Sequence, residues 1–247
     1  MKQLSACLRF LRVVLHILGG VWTIRWQFPR LSQTQREERI QAWAQTMLAR
    51  LAIDLVATGE PAHAGPVLMV SNHISWLDIV VIHATRHCRF ISKADVQHWP
   101  LVGALAKGAG TLFIERESRR DAMRVVHHMA ESLRAGEVLA VFPEGTTGDG
   151  TRLLPFHANL LQAAISVNAP VQPLAIRFVD AASGQRSLAP CYIGEDTLLQ
   201  SLWRILRTSG LQAQVIIGAT EFPQGRDRRT WAAELQTQVQ VLSGCDA

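Results

Sequence analysis

The chain has 247 residues, 48% of them hydrophobic and 18% charged, which is enough apolar material for one buried core of α/β size plus an appendage. A formal charge of +5 and a pI near 9.5 point to an anionic partner, and with a single Tyr and no interleaving of basic and aromatic residues that partner is anionic lipid or a phosphorylated substrate, with no nucleic acid. Cys7, Cys88, Cys191 and Cys245 form no C-x-x-C, which argues against a metal site and a disulfide scaffold and fits a reducing compartment.

From Leu4 to Ile24 the chain is apolar but broken by Arg9, Arg12 and His16. The uninterrupted part, Ile17 to Ile24, falls short of the roughly 20 residues a spanning helix needs. Trp22 and Trp26 beside Arg25 and Arg30 give the cationic, amphipathic pattern of an anchor lying at headgroup level. A spanning helix, a cleaved signal and a plain core helix are the alternatives, and no convincing small-residue cleavage site follows the apolar part. Gln35 to Leu55 places Ile40, Trp43, Met47, Leu48, Leu51 and Leu55 at three- and four-residue steps, one face of a second helix that packs on the core or continues the membrane surface. Gly59 to Gly65 then reads as the loop into the first strand, dividing the chain into a membrane-associating helical segment, residues 1–58, and a domain over residues 59–247.

The run Pro66 to Val70 reads as a strand stopped by Ser71-Asn72, and Ser75 can cap a helix through Leu77, Ile79, Val80 and Ile82. The first turn of that helix is where His73 and Asp78 can meet. An imidazole takes a proton near neutral pH, and a carboxylate on its other nitrogen fixes the tautomer, so the pair suits a general base with its orienter. A surface-loop His and a helix-capping Asp fit the same spacing. His83 and His87 stand four apart, but neither zinc-hydrolase pattern is met: Arg86 stands where H-x-x-E-H has its Glu, and Ala84 where H-E-x-x-H has it. His127 and His128 are adjacent on a helix and cannot both face one ligand, and no G-x-S-x-G elbow is present.

Further on, Arg89 to Ser92 and Thr111 to Ile114 read as short strands with a helix broken at Pro100 between them. Arg116 follows the second strand; its planar fork suits a phosphate or carboxylate, or pairs with Glu117 or Asp121. Ser118 to Ala135 reads as a helix with Met123, Val126, Met129 and Leu133 inward, stopped at Gly136. Val138 to Phe142 is a strand leading into Pro143-Glu144-Gly145-Thr146-Thr147-Gly148-Asp149-Gly150, where glycines and threonines let backbone amides face an anion and Glu144 can hold Arg116 or accept from a hydroxyl. It is a turn-rich loop and lacks the Lys-Ser/Thr ending of a P-loop. His157 to Asn168 is a helix, and Val171 to Val179 a strand entered through Pro170 and Pro173, with one edge or end unpaired. A strand at Tyr192, a helix over Leu198 to Leu206, a strand at Gln214 to Ala219 and a helix from Arg229 to Leu242 complete the chain. The alternation predicts an α/β fold, a central mixed sheet flanked by helices with an N-terminal helical anchor.

Taken in order, the loops resemble the glycerolipid acyltransferase family that includes 1-acylglycerol-3-phosphate acyltransferases. His73 and Asp78 stand where that family has N-H-x-x-x-x-D, Phe113-Ile114 and Arg116 where it has F-I-x-R, Phe142 to Thr146 where it has F-P-E-G-T, and Val171 to Pro173 where it has V-x-P. Lys93 and the Pro100 to Gly103 turn are similar to the family between its first two blocks. The resemblance implies transfer of an acyl group from acyl-CoA or acyl-carrier-protein, with no resident cofactor and no metal, to the free hydroxyl of a lysophospholipid, foremost 1-acylglycerol-3-phosphate. His73 would then be the base and Asp78 its holder, with Arg116, Glu144, Gly145, Thr146 and Lys93 binding substrate. The enzyme would work on the membrane surface, at the cytoplasmic face of the inner membrane. Thr147-Gly148 departs from the Arg-Ser pair common after F-P-E-G-T, and Phe156-His157-Ala158 from a Phe-Lys-Gly-like element, so lyso-ornithine lipid is an alternative acceptor. A non-catalytic membrane-associated protein and an acyl thioesterase are the readings from other classes.

Overall fold

The computed structural model describes residues 2–62, 64–114 and 119–245. Two helices come first, α1 (Lys2–Trp26) and α2 (Gln33–Leu51), joined through a 3-10 turn at Phe28–Arg30. The start of α2 is fixed by a reciprocal cap in which the Gln35 N–H donates to Ser32 Oγ and the Ser32 N–H to the Gln35 side chain. Its end is set by Ala52 in the left-handed conformation, φ 57°.

Among the described residues seven strands form one sheet in the order β1-β7-β6-β2-β5-β3-β4. They are β1 (Ile53–Thr58), β2 (Val67–Ser71), β3 (Arg89–Lys93), β4 (Leu112–Ile114), β5 (Val138–Val141), β6 (Val171–Asp180) and β7 (Leu211–Ile217). From β6 to β4 neighbouring strands run parallel, whereas β7 runs antiparallel to β6 and carries β1 parallel to itself. The sheet is mixed and helix-flanked, the α/β architecture expected. Its helices are α3 (Leu77–Thr85), α4 (Val102–Gly108), α5 (Arg119–Arg134), α6 (Leu161–Val167), α7 (Leu198–Arg207) and α8 (Arg228–Ser243).

Strand β2 is buried along its length, and its side chains alternate between the two sides as a pleat requires. Val67 and Met69 pack with α1, α2, α3 and α7, whereas Leu68 and Val70 pack with α5, α6 and α8. This partition positions the site. After β2 the chain turns into α3 on one face; after its parallel neighbour β5 it turns into α6 on the other. Adjacent parallel strands whose connections part to opposite faces leave a crevice at their C-terminal ends, the place where open α/β sheets bind ligands.

The structure corrects several expectations. The helical face does not run on to Leu55: the left-handed Ala52 breaks it, and Ile53–Thr58 is a strand, so Pro66 to Val70 belongs to the second strand. Met123 is 73% exposed, and Val125 takes the inward position with Met129 and Leu133, four residues apart each time. No strand forms at Tyr192, because its N–H donates to the Ile74 carbonyl, 3.0 Å, rather than to a ladder. Strand β6 is central, and Pro173 is tolerated there because antiparallel pairing with β7 begins only at Leu174; Pro173 accepts from the Gly218 N–H at 2.9 Å.

Candidate active site

The site begins with Asn72, the residue after β2. Its side chain replaces the next rung of the ladder: Oδ1 accepts from the Ile176 N–H at 2.8 Å and Nδ2 donates to the Ile176 carbonyl at 2.9 Å. A fully buried amide with both ends used fixes where the loop leaves the sheet. His73 is the next residue. Its Nδ1 lies 2.9 Å from Asp78 Oδ2, and that oxygen also accepts the N–H groups of Ile74, 2.6 Å, and Ser75, 2.9 Å. Asp78 is fully buried, and its Oδ1 has no partner among the described residues. A carboxylate facing Nδ1 assigns the proton there and leaves the Nε2 lone pair available. Ser75 Oγ accepts the Leu77 N–H, 3.2 Å, so Ser75 serves the start of α3 as expected.

Glu144 reaches this loop from the far side of the crevice, and neither of its oxygens points outward. Oε1 accepts the His73 N–H at 2.7 Å, Oε2 the Leu154 N–H at 2.8 Å, and the residue is 5% exposed. Burial pushes its pKa up against the pull of those two N–H bonds. The Gly148 N–H donates to the His73 carbonyl, 2.8 Å, so the loop after β5 grips the His73 backbone at both N–H and C=O. Gly145 turns that loop at φ 74°. Phe142, the first residue past β5, stacks on the His73 ring with centroids 3.9 Å apart and planes 6° from parallel.

The other expected site residues distribute differently. Thr146 is exposed and Gly145 half-buried at the mouth of the loop. Thr147 Oγ1 donates to the Tyr192 carbonyl. Lys93 is exposed at the C-terminal end of β3, in register with Ile114. Arg116 and Glu117 lie outside the described residues; Asp121 pairs with Arg124 at 3.2 Å. The crevice therefore brings together His73, Asp78 and Glu144, with Lys93 on the same edge of the sheet.

A cavity of about 490 Å³ starts at His73 and runs between the sheet and the N-terminal helices. Trp76 just before α3, Ile79 from α3, Ile17 and Gly20 from α1, Trp43 from α2 and Phe90 from β3 line it. Trp76 is held by a 3.0 Å bond from Nε1 to Ser201 Oγ on α7. The walls are mostly hydrocarbon and aromatic carbon, so the cavity accepts an apolar chain whose polar end stops at His73. Gly20 allows α1 to close it, since a Cβ there would meet Trp43 Nε1 at 2.5 Å.

Sequence reasoning passed over Asn72 and Phe142 as working residues, although both stand inside the quoted motifs. A motif names residue types, and the partner that gives each its use, Ile176 or the His73 ring, is known only once the sheet is assembled. The cavity wall from α1 and α2 had no sequence signal beyond the amphipathic face of α2.

Comparison with known proteins places these features in company. Residues 37–177 match the family described as Acyltransferase. A lyso-ornithine lipid O-acyltransferase of Pseudomonas aeruginosa is 36% identical, covering 98% of this chain and 94% of its own. A 1-acyl-sn-glycerol-3-phosphate acyltransferase of Neisseria gonorrhoeae is 34% identical over 86% of this chain and 83% of its own. The crystal structure of the 1-acyl-sn-glycerophosphate (LPA) acyltransferase PlsC from Thermotoga maritima superposes with a TM-score of 0.69 at 18% identity, covering all of both chains.

Proposed function

This chain belongs to the acyltransferase family of glycerolipid O-acyltransferases, and from that premise we propose that His73 is the general base that activates the hydroxyl of a lysolipid against an acyl thioester. The observation that carries the reading is the pairing of His73 Nδ1 with the buried Asp78 at the mouth of the apolar cavity. The Nε2 lone pair takes the hydroxyl proton as the oxygen attacks the thioester carbonyl carbon. The tetrahedral intermediate collapses with cleavage of the carbon–sulfur bond, and the leaving thiolate recovers the proton from Nε2. The buried Asp78 carboxylate holds the imidazolium between these events. The enzyme supplies no nucleophile, and the donor is acyl-CoA or acyl-carrier-protein as substrate, its chain in the cavity.

Acceptor binding falls to Arg116, Lys93, Gly145 and Thr146. Glu144 acts through the His73 backbone, because both of its oxygens are taken by N–H groups. The first acceptor is 1-acylglycerol-3-phosphate, whose phosphate suits Arg116 and Lys93. A second reading, lyso-ornithine lipid, is favoured by the likeness to the P. aeruginosa enzyme along nearly the full chain. It is favoured also by Thr147, which stands in the place of the common Arg and is tied to Tyr192.

The reaction takes place at the membrane surface, on its cytoplasmic face. Ser5–Trp26 is long and apolar enough to cross a bilayer, but α1 is docked along one side, where Ala6 and Val13 are buried. Leu8, Leu11, Leu15, Leu18, Trp22 and Trp26 are exposed. A helix with one face on the protein and an apolar face outward lies in the interface with its axis along the surface.

The test is acyl transfer from a labelled thioester to each lysolipid by wild type and His73→Ala. Free fatty acid released without lysolipid would make the chain a thioesterase. Equal product from His73→Ala would remove the base.

A further inference from the structure

We infer that Phe142 is a positioning residue that sets the plane of the His73 ring and holds the proton-bearing form of that ring against its π face. The inference rests on the reading of His73 as the base. Asp78 constrains one edge of the imidazole only, and a single bond to Nδ1 leaves the ring free to swing about that contact. The Phe142 ring removes this freedom. It lies 6° from parallel at 3.9 Å, contact over a whole face. Behind it Phe90 stacks at 5.7 Å and 18°, and Phe90 is itself buried and edge-on to His83. The stack therefore backs onto the core and cannot follow a swing of the imidazole.

The same short segment grips His73 twice, since Glu144, two residues on, holds its backbone N–H. The negative quadrupole of an aromatic face favours a cation over a neutral ring by about three- to thirtyfold at partly desolvated sites. The proton taken from the acceptor hydroxyl makes the His73 ring that cation. Among the described residues the titratable groups facing it are Asp78, from α3, and Glu144, from the loop after β5. Neither changes in the variants below.

The experiment compares rate profiles against pH for wild type, Phe142→Leu and Phe142→Tyr, with His73→Ala beside them and thermal unfolding as the folding control. Without the π face the ring gives up its proton at lower pH, so the acid limb of kcat/KM in Phe142→Leu should move down by about 0.5–1.5 pH units. Its kcat should fall about three- to thirtyfold. Phe142→Tyr, which keeps the face, should restore both. Phe142→Met, of similar length and without a ring, gives the same reading if the Leu variant fails to fold. An acid limb that coincides with wild type, whatever the rate, overturns the inference. If His73→Ala is inactive in that case, the base stands and only the stack falls; if His73→Ala is fully active, both fall.

Discussion

At the scale of single residues the site depends on groups that never reach the cavity. Glu144 is the clearest. Its replacement by Ala strands two N–H groups, of His73 and Leu154, in a buried place, each worth about 1–3 kcal/mol. Glu144→Ala should lower the urea midpoint and kcat together, and Glu144→Gln, whose carbonyl can keep one bond, should lose less. Full stability with a raised KM for the lysolipid would instead make Glu144 a substrate contact. His83 supplies a second test. Its burial depresses its pKa from 6.5 to about 3, and Nδ1 has no partner among the described residues. The unfolded chain binds this proton more readily than the folded one, so the stability is complete above about pH 6.5 and is lost as pH falls toward 3. Each pH unit inside that window should cost about 1.4 kcal/mol, and His83→Phe should flatten the slope in urea melts. An unchanged slope would mean that His83 meets water. Sequence made His73, Asp78 and their meeting legible because only five positions separate them, a loop short enough to fold back on the first turn of α3. It could not show which way Glu144 turns, since its two partners come from residues 71 and 10 positions away.

At the scale of elements, α1 has two faces with different uses. Val13 and Ile17 turn inward, and Ile17, Gly20 and Ile24 line the cavity, so deleting the helix should open the cavity as well as remove the proposed anchor. Substitutions on the outer stripe separate the two. Leu11→Glu combined with Leu15→Glu and Leu18→Glu should abolish flotation with anionic vesicles while the melting temperature holds. Continued flotation would place the anchor elsewhere, on Trp99 and Leu101 for instance, which are also exposed. The helices were legible from three- and four-residue spacing, but that spacing could not tell Leu51, the last turn of α2, from Leu55, in β1. The stop is Ala52 in a conformation usually given to glycine, so the sequence carries no visible punctuation there. The phase error on α5 has a similar origin: Met123 and Val125 both fit an apolar stripe until the sheet decides which side is inward.

At the scale of the whole molecule, the order of the strands explains why loops far apart in sequence converge: among the described residues the loops after β2 and β5 meet at His73, with Lys93 at the end of β3 on the same edge. Parallel β2, β5, β3 and β4 end on the same edge, and the helices after β2 and β5 part to opposite faces, so His73 and the Glu144 loop face each other across the gap. Alternating patterns predicted a helix-flanked mixed sheet, and two of the motifs stand in the loops that meet at His73, those after β2 and β5. They did not predict the strand order, because pairings such as Val70 with Pro173 join segments that are not adjacent in the chain. The basic balance of the molecule, +5 overall, suits an anionic membrane surface, at which a lysolipid presents its hydroxyl. The proposed role of His73 is to activate that hydroxyl. The most direct measurement offers 1-acylglycerol-3-phosphate and lyso-ornithine lipid in parallel vesicle assays with a labelled acyl thioester, using wild type and His73→Ala of equal thermal stability. Diacylated product should form from at least one lysolipid and fall about 10²–10⁴-fold in the variant. Product formed equally by wild type and variant would contradict that role.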